Sequence, residues 1–122
     1  NYAKDARLKL NLLQDMIAAK EMHVGRYYQS RKSYVAAMNR FKNVVKNYQT
    51  TAHVPEALHR LVEVYLALNL KDEALTVASI LSHNFPSNNW YSETYFLMKG
   101  EDFREEKTES YLPWLTNIWQ DK

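Results

Sequence analysis

The sequence predicts an all-α chain of stacked helix pairs, on three observations. Two glycines and three prolines in 122 residues are too few for the repeated turns of a hairpin-built fold. Apolar residues recur at steps of three and four, and no segment keeps the period-two alternation of a half-buried strand. The sequence also overlays itself when shifted by 37 positions. Val24 then falls on Leu61, Tyr28 on Tyr65, Ala37 on Ala74 and Val44 on Leu81. Asn47-Tyr48-Gln49 falls on Asn84-Phe85-Pro86, and more faintly Pro55-Glu56-Ala57 on Ser92-Glu93-Thr94.

The elements follow in order. A first helix is expected over 3–31, roughly 40 Å long at 1.5 Å per residue, because this stretch has no proline and Gly25 is its only glycine. Ala6, Leu10, Leu13 and Ile17 mark an apolar stripe that Val24 and Tyr28 extend. A break near Ala18 to Lys20 is the alternative, although alanine and lysine both favour helix. A second helix is expected over 33–47, with Tyr34, Ala37, Phe41, Val44 and Tyr48 on one face. Thr50 and Thr51 can supply turn or capping oxygens, and Pro55 suits the first turn of a third helix over 54–69, where Leu58, Leu61, Tyr65 and Leu68 align. Asn69 can adopt the left-handed conformation that makes a tight joint. A fourth helix is expected over 71–84, carrying Ala74, Ala78 and Leu81 with Phe85 after them. Pro86 stops it, and Ser87 can cap a fifth over 88–98.

Beyond these, 99–109 reads as a charged linker holding Glu101, Asp102, Glu105 and Glu106. Residues 110–122 read as a closing helix with Pro113 in its first turn and a dense apolar set: Tyr111, Leu112, Trp114, Leu115, Ile118 and Trp119. Trp114, Leu115, Ile118 and Trp119 either cap the exposed end of the stack or dock on a partner or the membrane interface.

Packing logic supports stacking. Alanine at positions 37 and 74 lets the second helix of a pair cross close to the first, and Gly25 does the same from the opposite side. Tyr28, Phe41, Tyr65 and Leu81 then fill the space between pairs. One pair cannot bury both of its apolar faces alone, so pairs add into a superhelix.

Composition excludes several functions. The net charge of +2, with acids and bases interspersed, does not make the footprint of a nucleic-acid binder. Without cysteine there is no disulfide, thiolate chemistry or cysteine-bound zinc. His23, His53, His59 and His83 include no pair at metalloprotease spacing. His59 and Glu63 lie one turn apart, and read as a surface pair rather than a metal site. No phosphate-binding glycine loop or nucleophile elbow occurs. Neither a cofactor nor catalysis is expected. No apolar run approaches the roughly 20 residues that span a bilayer. Because it begins at Asn1 rather than Met, the chain is expected to be a piece of a longer protein, with any targeting segment or anchor in the rest. The first helices of successive pairs usually line a groove. Met22, Arg26 and Gln29 are expected to face it, as are Glu56, His59 and Glu63, with ordinary surface as the competing reading.

Gly25, Tyr28, Ala37 and Phe41, then Tyr65, Ala74 and Pro86, resemble the tetratricopeptide repeat pattern. The second unit departs from it at Val62 and Ala78, and the residues from Thr51 to Val54 lengthen the repeat. More narrowly, Lys20 to Tyr28 and Tyr34 to Phe41, flanked by Asp5-Ala6-Arg7 and Glu56-Ala57-Leu58, resemble the carboxy-terminal half of the BamD family. These are repeat lipoproteins of the outer-membrane β-barrel assembly machine. The resemblance spans roughly 2–98 and implies a tetratricopeptide-type α-α superhelix with a non-catalytic scaffold role on the periplasmic face of the outer membrane. It implies binding to POTRA domains of the barrel subunit BamA and contact with other lipoproteins of the machine. Unfolded outer-membrane proteins would be met mainly by the amino-terminal repeats, and the membrane only through a lipid anchor outside this chain. Arg40 is similar to the family arginine that meets an acidic POTRA group. Asn39, Asn43 and Lys46 share its face at steps of four and three and could add hydrogen bonds, a solvated face being the competing reading. A different repeat adaptor, or a regulatory repeat domain cut from a larger enzyme, are the other readings the residues allow.

Overall fold

The computed structural model describes residues 1–99. The expected linker over 99–109, from Gly100 onward, and the expected closing helix with Trp114, Leu115, Ile118 and Trp119 lie outside them. Among the described residues the fold is all-α, with five helices: α1 (Tyr2–Ser30), α2 (Tyr34–Asn47), α3 (Val54–Ala67), α4 (Lys71–Asn84) and α5 (Asn89–Leu97). The principal contacts run α1–α2, α2–α3, α3–α4 and α4–α5, and α3 also meets α5. That order is a tetratricopeptide-like stack, in which each helix packs on its neighbours along the chain. Among the described residues no helix is long and apolar enough to cross a membrane.

The repeat is carried by the backbone as well as by the side chains. Lys32 and Asn69, 37 positions apart, both have φ 62°. After α1, Lys32 N–H donates to Gln29 O at 3.0 Å and Ser33 N–H to Tyr28 O at 2.9 Å. After α3, Asn69 N–H donates to Leu66 O at 3.0 Å and Leu70 N–H to Tyr65 O at 2.8 Å. Each set is the paired carbonyl closure of a Schellman helix end. Asparagine tolerates this conformation and signals it in sequence; lysine does not, so the left-handed residue at the first joint had no signal of its own.

The core joins Ala18 and Met22 of α1 with Ala37, Phe41, Val44 and Val45 of α2, the apolar face of α3, and Ala74, Val77, Ala78 and Leu81 of α4. At Gly25 the backbone of α1 lies directly against the Phe41 ring of α2. A Cβ there would lie 2.5 Å from the Phe41 ring, so only hydrogen fits while Phe41 keeps its place.

Two expectations are corrected. The face of α1 that enters the core is Ala18, Met22 and Gly25, not the stripe from Ala6 through Ile17. Leu8, Leu10, Leu12, Leu13 and Met16 are all exposed. The cause is geometric: at 100° per residue Ala18, Met22 and Gly25 lie on a different face from the stripe Ala6, Leu10, Leu13 and Ile17. The cap of α5 is Asn88, whose side chain accepts from Trp90 N–H at 2.9 Å, rather than Ser87. Thr51 works as a turn residue, its hydroxyl donating to Tyr48 O at 2.8 Å.

Candidate functional site

Two polar sites emerge from the stack. The first lies on α2. Helical spacing puts Asn39, Lys42, Asn43, Lys46 and Asn47 on one stripe opposite the buried Ala37, Phe41, Val44 and Val45. These five residues line an open groove of about 410 Å³. Beside it, Arg40 donates from Nη1 to Glu21 Oε1 of α1 at 2.7 Å. Asn43 donates from Nδ2 to the other oxygen of the same carboxylate, also at 2.7 Å. Asn47 then donates to Asn43 Oδ1 at 2.5 Å. Glu21 is 14% exposed while Arg40 is 43% exposed, so the carboxylate sits beneath and the guanidinium stands at the surface. The hydrogen bond and charge of Glu21, with a smaller contribution from Tyr28, raise the Arg40 pKa above its ordinary value. A guanidinium carries five N–H donors in a planar fork, and one Nη1 contact leaves others for a partner. The structure thus places Asn39, Asn43 and Lys46 together in one groove with Arg40 on its edge. Sequence reasoning missed Asn47, which lies on the same stripe, and Glu21. Its separation from Arg40 by 19 positions gives no local signal, because the pairing depends on how α1 and α2 cross.

The second site spans α1, α3 and α5. Glu56 accepts from Arg26 Nη1 at 3.1 Å and from Arg60 Nε at 3.3 Å. Glu63 accepts from Gln29 Nε2 at 2.9 Å and from Arg60 Nη1 at 3.0 Å. His59 Nε2 lies 3.4 Å from Glu63, while His59 Nδ1 and the Thr94 hydroxyl are 2.8 Å apart. Trp90 covers the cluster, with its ring centroid 5.3 Å from His59 and 5.3 Å from the Arg60 guanidinium. Burial pushes the Glu63 carboxyl up, but hydrogen bonds from His59, Gln29 and Arg60 and the charge interaction with His59 outweigh it and hold its pKa at about 2.

Of the expected groove residues, Arg26, Gln29, Glu56, His59 and Glu63 are brought together, but onto one another, as a bridge between helices. Met22 is not among them: it is fully buried in the hydrophobic core, on the face of α1 that carries Ala18 and Gly25. Nor are His59 and Glu63 a surface pair, since α5 covers His59 to 5% exposure. Arg60 was missed, although its one-turn spacing to Glu56 and Glu63 could have marked it. Trp90 and Thr94 were not, because nothing in the sequence gives the crossing of α5 over α3. Among the described residues no group of three metal-ligating side chains forms.

The YfiO family, described as an outer membrane lipoprotein, matches residues 1–80. The chain belongs to this family, known also as BamD. Over 99 residues it is 51% identical to the outer membrane protein assembly factor BamD of Rickettsia prowazekii, covering 81% of this chain and 39% of that protein. Over 103 residues it is 46% identical to the BamD of Caulobacter vibrioides, covering 84% and 34% respectively. The BamD of Neisseria gonorrhoeae is 35% identical over 94 residues, 77% of this chain and 35% of that one. The chain therefore spans little more than a third of the BamD proteins it matches. The α2 site and the α1–α3 part of the second site, from Glu21 to Glu63, lie within residues 1–80 matched by the family, while Trp90 and Thr94 of α5 lie beyond them.

Proposed function

We propose that this chain is a carboxy-terminal part of a non-catalytic scaffold subunit of the outer-membrane β-barrel assembly machine, and that it binds a POTRA domain of BamA through α2. The observation that carries this is the Arg40 face: a supported, surface-standing arginine beside a groove of three asparagines and two lysines. Arginine pairs with carboxylates in two-pronged geometry, and neighbouring amides add donors and acceptors around it, which suits an acidic patch on a folded partner. Membership of the BamD family supports the assembly role, and its description as a lipoprotein supports a place on the periplasmic face of the outer membrane by a lipid anchor outside this chain. Other lipoproteins of the machine are expected as further contacts. Recognition of unfolded outer-membrane proteins would belong mainly to repeats preceding this chain.

The α1–α3–α5 cluster is given a structural role. Its carboxylates and cations already satisfy one another, so a peptide would have to break internal pairs to bind there. The experiment is a pull-down of the chain on immobilised POTRA domains of BamA from the same organism. Retention supports the proposal; no retention at micromolar concentrations rejects it.

A further inference from the structure

We propose that Glu21 is a positioning residue for partner recognition: it holds Arg40 so that the outer edge of the guanidinium meets a partner carboxylate. This rests on the α2 reading above and adds a residue on a different helix. Three observations lead to it. Both oxygens of Glu21 are used on α2, one by Arg40 and one by Asn43, each at 2.7 Å. A single carboxylate therefore fixes two groove-side residues one turn apart. Its 14% exposure beneath a 43% exposed Arg40 leaves it poorly placed to contact a partner itself. Finally, Arg40 engages Glu21 through Nη1 alone, which leaves further N–H donors of the guanidinium for a partner carboxylate.

The charge of Glu21 also opposes a partner carboxylate, so the sign has to be argued. Among the described residues, Arg40 and Lys46 carry two positive charges on this side of α2 against the single charge of Glu21. An exposed arginine without Glu21 would sample many rotamers, and binding would have to freeze them. Ordering a long side chain at an interface weakens binding by about three- to tenfold, and pre-ordering recovers that factor. Repulsion from a carboxylate that is already paired on both oxygens is the smaller effect in a solvent-screened rim.

The test measures affinity for purified POTRA domains in the full-length protein, comparing wild type with Glu21→Ala, Glu21→Gln, Arg40→Ala and the double variant Glu21→Ala/Arg40→Ala. Glu21→Ala is expected to weaken binding about three- to tenfold and Arg40→Ala about thirtyfold or more. In the Arg40→Ala background, Glu21→Ala should add less than about twofold, since nothing remains to position. Nuclear magnetic relaxation of the Arg40 Nε–H in the unbound protein should show that it loses order in Glu21→Ala. Glu21→Gln keeps the shape and so separates positioning from misfolding; it should weaken binding to a lesser degree. Unchanged or tighter binding by Glu21→Ala overturns the proposal, as does a loss that persists without Arg40. If wild type itself fails to bind, the α2 reading falls and this inference with it; if wild type binds and Glu21→Ala binds equally, only this inference falls.

Discussion

Gly25→Ala tests the packing argument most sharply, because two large effects oppose each other at one atom. On propensity alone the change should help: alanine in the interior of a helix is favoured over glycine by about 1 kcal/mol. The structure says otherwise. The added Cβ would lie 2.5 Å from Cε1 of Phe41 and 2.9 Å from both Cδ1 and Cζ. Phe41 is fully buried, so its ring cannot swing into solvent. Overpacking a core of this kind costs about 1–3 kcal/mol, and three ring atoms inside 3 Å belong at the upper end. The net expectation is a destabilisation of about 1–2 kcal/mol. Thermal and urea unfolding followed by circular dichroism would read it, at roughly 4–8 °C per kcal/mol for a domain of this size. A second comparison isolates the cause: with Phe41→Leu already in place, adding Gly25→Ala should be neutral or stabilising by up to about 1 kcal/mol. A rise in melting temperature for Gly25→Ala in the wild-type background would refute the close approach of α1 and α2.

Three further outcomes are expected. Glu63 has its folded pKa lowered to about 2, so its contribution is present above the ordinary carboxylate pKa and is lost as pH falls from about 4.5 toward 2. Urea titrations across this range should show a steeper loss for wild type than for Glu63→Gln, by about 2–3 kcal/mol in total, and equal slopes would contradict the assigned network. Thr94→Val removes the hydroxyl beside buried His59 Nδ1 and should destabilise the fold by about 1–2 kcal/mol, read from the urea midpoint. Lys32→Gly relieves a left-handed residue at φ 62° and should stabilise by about 0.5–1 kcal/mol in the same assay.

The 37-residue repeat and the α2 face were legible because each follows from spacing along the chain. Asn39, Asn43 and Lys46 share a groove for that reason: a helix puts every third and fourth residue on one side. What spacing cannot give is the rotation of one helix against the next. The leucines of early α1 looked like the core stripe by hydrophobicity, yet Ala18, Met22 and Gly25 are the buried residues of α1. Met22 looked like a groove residue and is core for the same reason. Glu21, Trp90 and Thr94 act only across helix crossings, so no local pattern marks them. Arg40 stood out through family resemblance, and its support by Glu21 came only with the structure.

The central claim is that the α2 face of this chain recognises an acidic surface on a POTRA domain through Arg40. Calorimetric titration of wild type and Arg40→Glu against POTRA domains of the same organism, at low and at moderate salt, addresses it directly. The account predicts measurable binding that weakens with salt, and a loss of at least about a hundredfold for Arg40→Glu with the helical melting curve intact. Equal affinity for the two proteins, or binding indifferent to salt, would contradict it.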